Sequence, residues 1–182
     1  MSKVTRFFLD TEFIERPNTI DLISIGIVCD NGKELYRINQ NCDLHQASDW
    51  VRDNVLKKMP EYRDIGSFFD TSYENVVTKI KIALDVFMFI DRNTQQEGTK
   101  AEFWGYYSDY DWVALCWLFG PMICLPEGFP MFCMDIKQLA VMCGNPKLPE
   151  QGKGEHNALD DAKWNQKAYK FLTENYPLKV GK

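Results

Sequence analysis

The chain opens with strand-like apolar runs and then turns helical. Val4 to Asp10 is short, dense in Phe and Leu, and reads as a buried strand. Ile20 to Val28 is β-branched and partly alternating, the strongest strand pattern present. Cys29-Asp30-Asn31-Gly32 then supplies a hairpin turn, because Asn-Gly tolerates positive φ. Lys33 to Asn39 reads as the return strand. Strands in succession, the second and third joined by a tight turn, predict an antiparallel meander.

Helical spacing follows. Ser48 can cap a helix carrying Trp50, Val51, Val55 and Leu56, with Pro60 just past its end. Ser72 can cap a longer one, with Val76, Val77, Ile80, Ala83, Leu84 and Phe87 at helical spacing. Asp91 to Lys100 is polar and reads as a loop. Ala101 to Tyr107 reads as a fourth strand, and Asp111 to Phe119 as a helix stopped by Gly120-Pro121. Met122 to Pro130 should be irregular, and Phe132 to Met134 forms a short fifth strand. Asp135 can cap a helix from Ile136 to Cys143. Gly144 to Glu155 is a flexible loop, and a last helix runs from about Ala158 to Glu174. The pattern predicts an α/β architecture, a mixed five-stranded sheet flanked by helices.

Composition bounds the class. The 182 residues suit one domain, 1–182, with 177–182 as a loose C-terminal tail. Hydrophobic residues make up 45% and charged residues 26%, a soluble globular balance. The six cysteines show no C-x-x-C pair and no zinc spacing, so they read as buried reduced thiols of a cytoplasmic protein. No apolar run is long enough to span a bilayer, and no signal peptide precedes Asp10, so no membrane partner is expected. The net charge of −5 argues against a protein that coats nucleic acid through a broad basic surface. It leaves room for an enzyme that grips a strand end through metal ions.

The candidate chemistry lies in three acidic segments. Asp10 and Glu12 sit two apart on or just past a strand, where side chains share a face. Two carboxylates on one face can bridge a metal, although an isolated Asp-x-Glu is more commonly a solvated pair. Asp111 opens a helix, where an acid also suits the helix dipole, and Asp109 competes for the same role. His156 ends a glycine-containing loop before the last helix, with Asp161 five residues later and Asp160 as the alternative. His45 lies in a polar segment and receives no role. Four acids and one imidazole, if they converge, make a pocket that needs divalent cations.

In this order the segments resemble the DEDDh branch of the 3′–5′ exonucleases, which have a ribonuclease-H-like fold. Asp10-Thr-Glu12 matches the first family motif. Asp111 in Tyr-Asp-Trp-Val-Ala-Leu matches the middle one, and His156-Asn-Ala158-Leu-Asp-Asp161 matches His-x-Ala-x-x-Asp, which selects Asp161 over Asp160. Asp10 to Glu15, Ile23 to Gly26, Trp50 to Leu56, Tyr110 to Cys116 and Met134 to Gln138 are similar to a narrower group, the RNase AS-like exoribonucleases that degrade polyadenylate. Many family members carry Asn four residues before the middle Asp, where this chain has Tyr107.

The resemblance implies a two-metal hydrolase of single-stranded RNA, released from the 3′ end as nucleoside 5′-monophosphates. Two Mg²⁺ ions, or Mn²⁺, about 3.5–4 Å apart would orient water and stabilise the attacking and leaving oxygens. It implies that Asp10 bridges both metals, that Glu12 and Asp161 hold the one that orients the water, and that Asp111 assists at the leaving-group side. It gives His156 the role of general base, which suits an imidazole of unperturbed pKa about 6.5. It also implies a homodimer. Phe13 is the first candidate to stack on the terminal base, with Trp50 and Tyr110 behind it, while Glu12 and the backbone around Phe13 are within range of the 2′-OH. Trp112, Trp117 and Trp164 are expected in the core. Alternatives are a 3′–5′ exonuclease on single-stranded DNA or short oligoribonucleotides, and an inactive nucleic-acid-binding module.

Overall fold

A computed structural model describes residues 3–95, 97–152 and 154–176. The expected tail at 177–182 lies outside them. In chain order the elements are β1 (Val4–Arg16), β2 (Thr19–Cys29), β3 (Glu34–Asn39), α1 (Asp49–Asn54), β4 (Tyr62–Arg63), β5 (Phe68–Phe69) and β6 (Val76–Val77). Then come α2 (Lys79–Gln95), β7 (Lys100–Gly105), α3 (Asp109–Phe119), β8 (Met134–Asp135), α4 (Ile136–Met142) and α5 (Ala158–Asn175).

The main sheet runs β6-β3-β2-β1-β7-β8. β1, β2 and β3 form the antiparallel meander, and β7, β8 and β6 add in parallel, so the sheet is mixed. It has six strands rather than the expected five. Val76 and Val77, read as the start of a helix, instead pair with Ile38 and Asn39 at the open edge of β3. α2 starts only at Lys79 and continues through the polar stretch expected as a loop, to Gln95. β4 and β5 make a separate two-stranded hairpin. Met134 and Asp135 pair with Trp104 and Gly105, so the strand expected at Phe132 to Met134 begins two residues later and ends one later.

Helices cover both faces. On one, Phe7, Leu9, Ile25 and Ile27 pack against Ile82, Val86 and Ile90 of α2 and Trp112 and Leu115 of α3. On the other, Phe8, Val28 and Trp104 pack against α4 and α5. A third cluster, around Ile14, Ile23, Val55, Leu56 and Phe69, closes the end beside α1. The buried face of α2 is not the expected one: Ile80 is 84% exposed. Trp112 is core as expected, and Trp164 is half-buried with its indole N–H donated to the Pro149 carbonyl. Trp117 contradicts the expectation, standing 42% exposed on the outer face of α3. The thiols are all free, but only Cys29, Cys42 and Cys116 are buried, while Cys124 is exposed. Among the described residues, no helix is long and apolar enough to cross a membrane.

Candidate active site

Strand register sets the first pair of acids. Asp10 lies opposite Gly26 and Glu12 opposite Ser24, so the two carboxylates share a face. A β-bulge follows: Glu12 pairs with Ser24 but Phe13 with Leu22, which leaves Ile23 unmatched on β2.

Gly26 explains how α5 reaches that face. A Cβ there would stand 2.2 Å from the Ala158 carbonyl oxygen, so only glycine lets the start of α5 lie on the strand. Asn157 caps the helix, its side-chain oxygen accepting from the Leu159 and Asp160 amides. Further along, the buried Asn165 donates its side-chain amide to the Leu9 carbonyl, one residue before Asp10. α5 is thereby docked onto the acidic stretch of β1. This docking brings Asp161 to the site and leaves Asp160 exposed.

Asp161 Oδ2 accepts from the His156 backbone N–H at 2.9 Å, and Oδ1 from the Gln151 side chain at 2.5 Å. His156 has φ 68, a left-handed conformation uncommon for a residue with a side chain. The Trp50 ring meets the imidazole edge-on, with centroids 5.0 Å apart. Glu12, His156 and Asp161 each offer a ligand atom within 4.8 Å of the other two.

Asp111 arrives from the opposite side of β1. Thr11 points away from Asp10 and Glu12, and both its amide (2.8 Å) and its hydroxyl (2.6 Å) donate to Asp111 Oδ1. Asp109, the competing acid, is exposed. Asp10, Glu12, Asp111, Asp161 and His156 all line one groove of about 530 Å³, together with Phe13 and Trp50.

The groove is electrostatically strained. Burial first, then Asp111, Asp161 and Glu12, hold the Asp10 carboxyl well above the usual range. Burial and the charges of Asp161 and Asp111 push Glu12 up to about 8, with Lys58 offsetting a part. Burial lifts Asp111 to about 6 despite its two Thr11 donors. It also raises Asp161, against the bonds from Gln151 and His156. Among the described residues none of the four acids pairs with Lys or Arg. Hard carboxylate oxygens, crowded and without an organic counter-ion, are a donor set that fits divalent metal.

The candidate base contacts are placed unequally. Phe13 lines the groove and stacks on Tyr110 behind it, centroids 5.9 Å apart and planes 21° apart. Trp50 is 56% exposed beside His156. Sequence reasoning missed Thr11, Gln151 and Lys58. Strand alternation could have flagged Thr11 as facing α3, but no local pattern marks Gln151 or Lys58.

Known proteins resemble this chain in sequence and in fold. Residues 5–173 match the 3′-5′ exoribonuclease Rv2179c-like domain family. The chain is 37% identical over 169 residues to the 3′-5′ exoribonucleases Rv2179c and MT2234.1 of two Mycobacterium tuberculosis strains, covering 92% of this chain and 93% of each relative. Two solved structures share the fold. The nuclease domain of 3′hExo, a DEDDh family member bound to rAMP, superposes with TM-score 0.55 at 13% identity, over 98% of this chain and 96% of that one. A 3′-exonuclease described in 3′-end specific recognition of histone mRNA stem-loop gives TM-score 0.55 at 14% identity, over 96% and 65%. Sequence and fold point the same way, and the chain belongs to the Rv2179c-like 3′–5′ exoribonuclease domain family.

Proposed function

We propose that the protein is a metal-dependent 3′–5′ exoribonuclease that removes nucleoside 5′-monophosphates from single-stranded RNA, with a preference for polyadenylate. The observation that carries this is the convergence of Asp10, Glu12, Asp111, Asp161 and His156 in one groove of a DEDDh-type fold. The family membership and the name of the mycobacterial relatives support RNA as the substrate.

Asp10, Glu12, Asp111 and Asp161 would hold two divalent ions, Mg²⁺ by preference. Bound there, the ions supply Lewis acidity and charge neutralisation for an anionic phosphodiester. His156 takes the proton from the attacking water. Its proximity to Glu12 and Asp161 supports that role, as does the edge of Trp50 against the ring. The Asp161 carboxylate fixes the His156 main chain through its amide, so base and acid move as one unit. Phe13, stacked on Tyr110, gives the terminal base a flat apolar surface, and Trp50 bounds the other side. Glu12, beside Phe13 in the same groove, would accept from a terminal 2′-OH.

The reading includes a cytoplasmic homodimer. Free thiols suit a reducing compartment, and Ile80, Leu84 and Phe87 leave an apolar stripe on α2 for a second copy. Light scattering at a monomer's mass would remove the dimer.

The activity is tested with 5′-labelled strands of A, U, C and deoxy-A, in Mg²⁺ and in chelator. The expected result is a ladder receding from the 3′ end, fastest on the A strand, absent in chelator and on DNA. Equal shortening of DNA would replace the substrate, and no shortening of any strand would remove the enzyme.

A further inference from the structure

The outer face of α3 carries an apolar stripe that extends beyond the catalytic groove. Tyr110, Val113 and Trp117 stand three and seven residues apart, on one side of the helix. Opposite them is the tip of the β1–β2 hairpin. Between the two lies a cavity of about 410 Å³, bounded by Arg16, Pro17, Tyr110, Val113 and Trp117. That size suits one nucleotide, within the range of about 300–1,000 Å³ common for small-ligand sites.

Glu15 borders both this cavity and the catalytic groove, and Tyr110 of this cavity stacks on Phe13 of the groove, so the two adjoin. The Trp117 indole has no ring partner among the described residues, unlike Trp104, Trp112 and Trp164. Arg6, Arg37 and Arg63 are each committed to a carboxylate, whereas the exposed Arg16 guanidinium makes no ion pair or hydrogen bond among the described residues. A bare indole beside a bare guanidinium, in a chain of net charge −5, is a pairing suited to a base and its phosphate.

We propose that bound RNA leaves the catalytic groove past Tyr110 into a second nucleotide subsite, where an upstream base stacks on Trp117 and Arg16 meets a backbone phosphate. This rests on the reading of the groove as an RNA site. Arg16 lies four strand steps beyond Glu12, about 13 Å, the span of about two extended nucleotides. The subsite therefore acts on strands longer than a dinucleotide.

The test compares steady-state kinetics on 5′-phosphorylated A2 and A8 with wild type, Trp117→Ala, Trp117→Phe and Arg16→Gln. Stacking of one base predicts that Trp117→Ala raises KM for A8 roughly tenfold more than KM for A2, with Trp117→Phe close to wild type. Arg16→Gln should raise KM for A8 and make its salt dependence shallower by about one phosphate contact. An unchanged A8 KM in Trp117→Ala, or an equal rise on both lengths, overturns the subsite. If wild type shortens neither strand, the RNA reading itself falls, and the subsite with it.

Discussion

Glu12 is the residue at which the cost of the site is most visible. Its folded-state carboxyl lies at about 8 against an ordinary value of 4.5, and that of Asp111 at about 6 against 3.8. A folded state with raised carboxyls binds more protons than the unfolded chain across those ranges. Their contribution to stability is therefore fully present at low pH and is lost as pH climbs through the folded values. Metal-free protein should lose Tm between about pH 5 and pH 8, by at least the ~2–4 °C that one kcal/mol represents at this size. Mg²⁺ should restore more of it at the upper end than at the lower. A metal-free Tm that rises over that interval in a melting series would contradict the electrostatic account. The acids were legible in the sequence because strand alternation and helix start are local patterns. Asp160 and Asp161 are adjacent, and the family motif rather than any periodicity separated them. Gln151 and Lys58 reach the site through the fold, so no spacing announces them.

At the scale of elements, the site depends on α5 lying against β1 and β2. Gly26 sets the separation, and Gly26→Ala forces a methyl into the Ala158 backbone. Overpacking of this kind costs about 1–3 kcal/mol. Displacing Asp161 and His156 by ~1 Å should lower turnover about 100-fold. Melting temperature and turnover measured on the same preparation check this, and near-normal turnover would show that α5 is not what aligns the acids. The meander, the Ser48 and Asp135 caps and the last helix were all readable in advance, since each has its own cap, turn or period. β1 was read only to Asp10, because the polar Asp10, Thr11 and Glu12 end the apolar run while the strand itself continues to Arg16. β6 was read as helix because Val76 and Val77 fit the apolar spacing of α2. Their pairing with the open edge of β3 overrides that local preference.

For the molecule as a whole, a net charge of −5 and an RNA substrate are reconciled by where the charges sit. Five of the acids, Asp10, Glu12, Glu15, Asp111 and Asp161, line one groove, and its walls are aromatic rather than basic. Affinity for a strand end would then come from metal and stacking, with Arg16 as a local exception. Exposed Trp117 was expected in the core because an apolar helix gives no sequence sign of which side faces out. The central claim is that this groove hydrolyses RNA with His156 as its base. It is tested most directly by the rate of 5′-AMP release from an oligo(A) 3′ end by His156→Ala at saturating Mg²⁺. A Mg²⁺-dependent rise in Tm would show on the same sample that the ion still binds. The account predicts a rate lowered by about 10²–10⁴, the usual worth of a general base, with the metal response intact. A rate within a few-fold of wild type would contradict it.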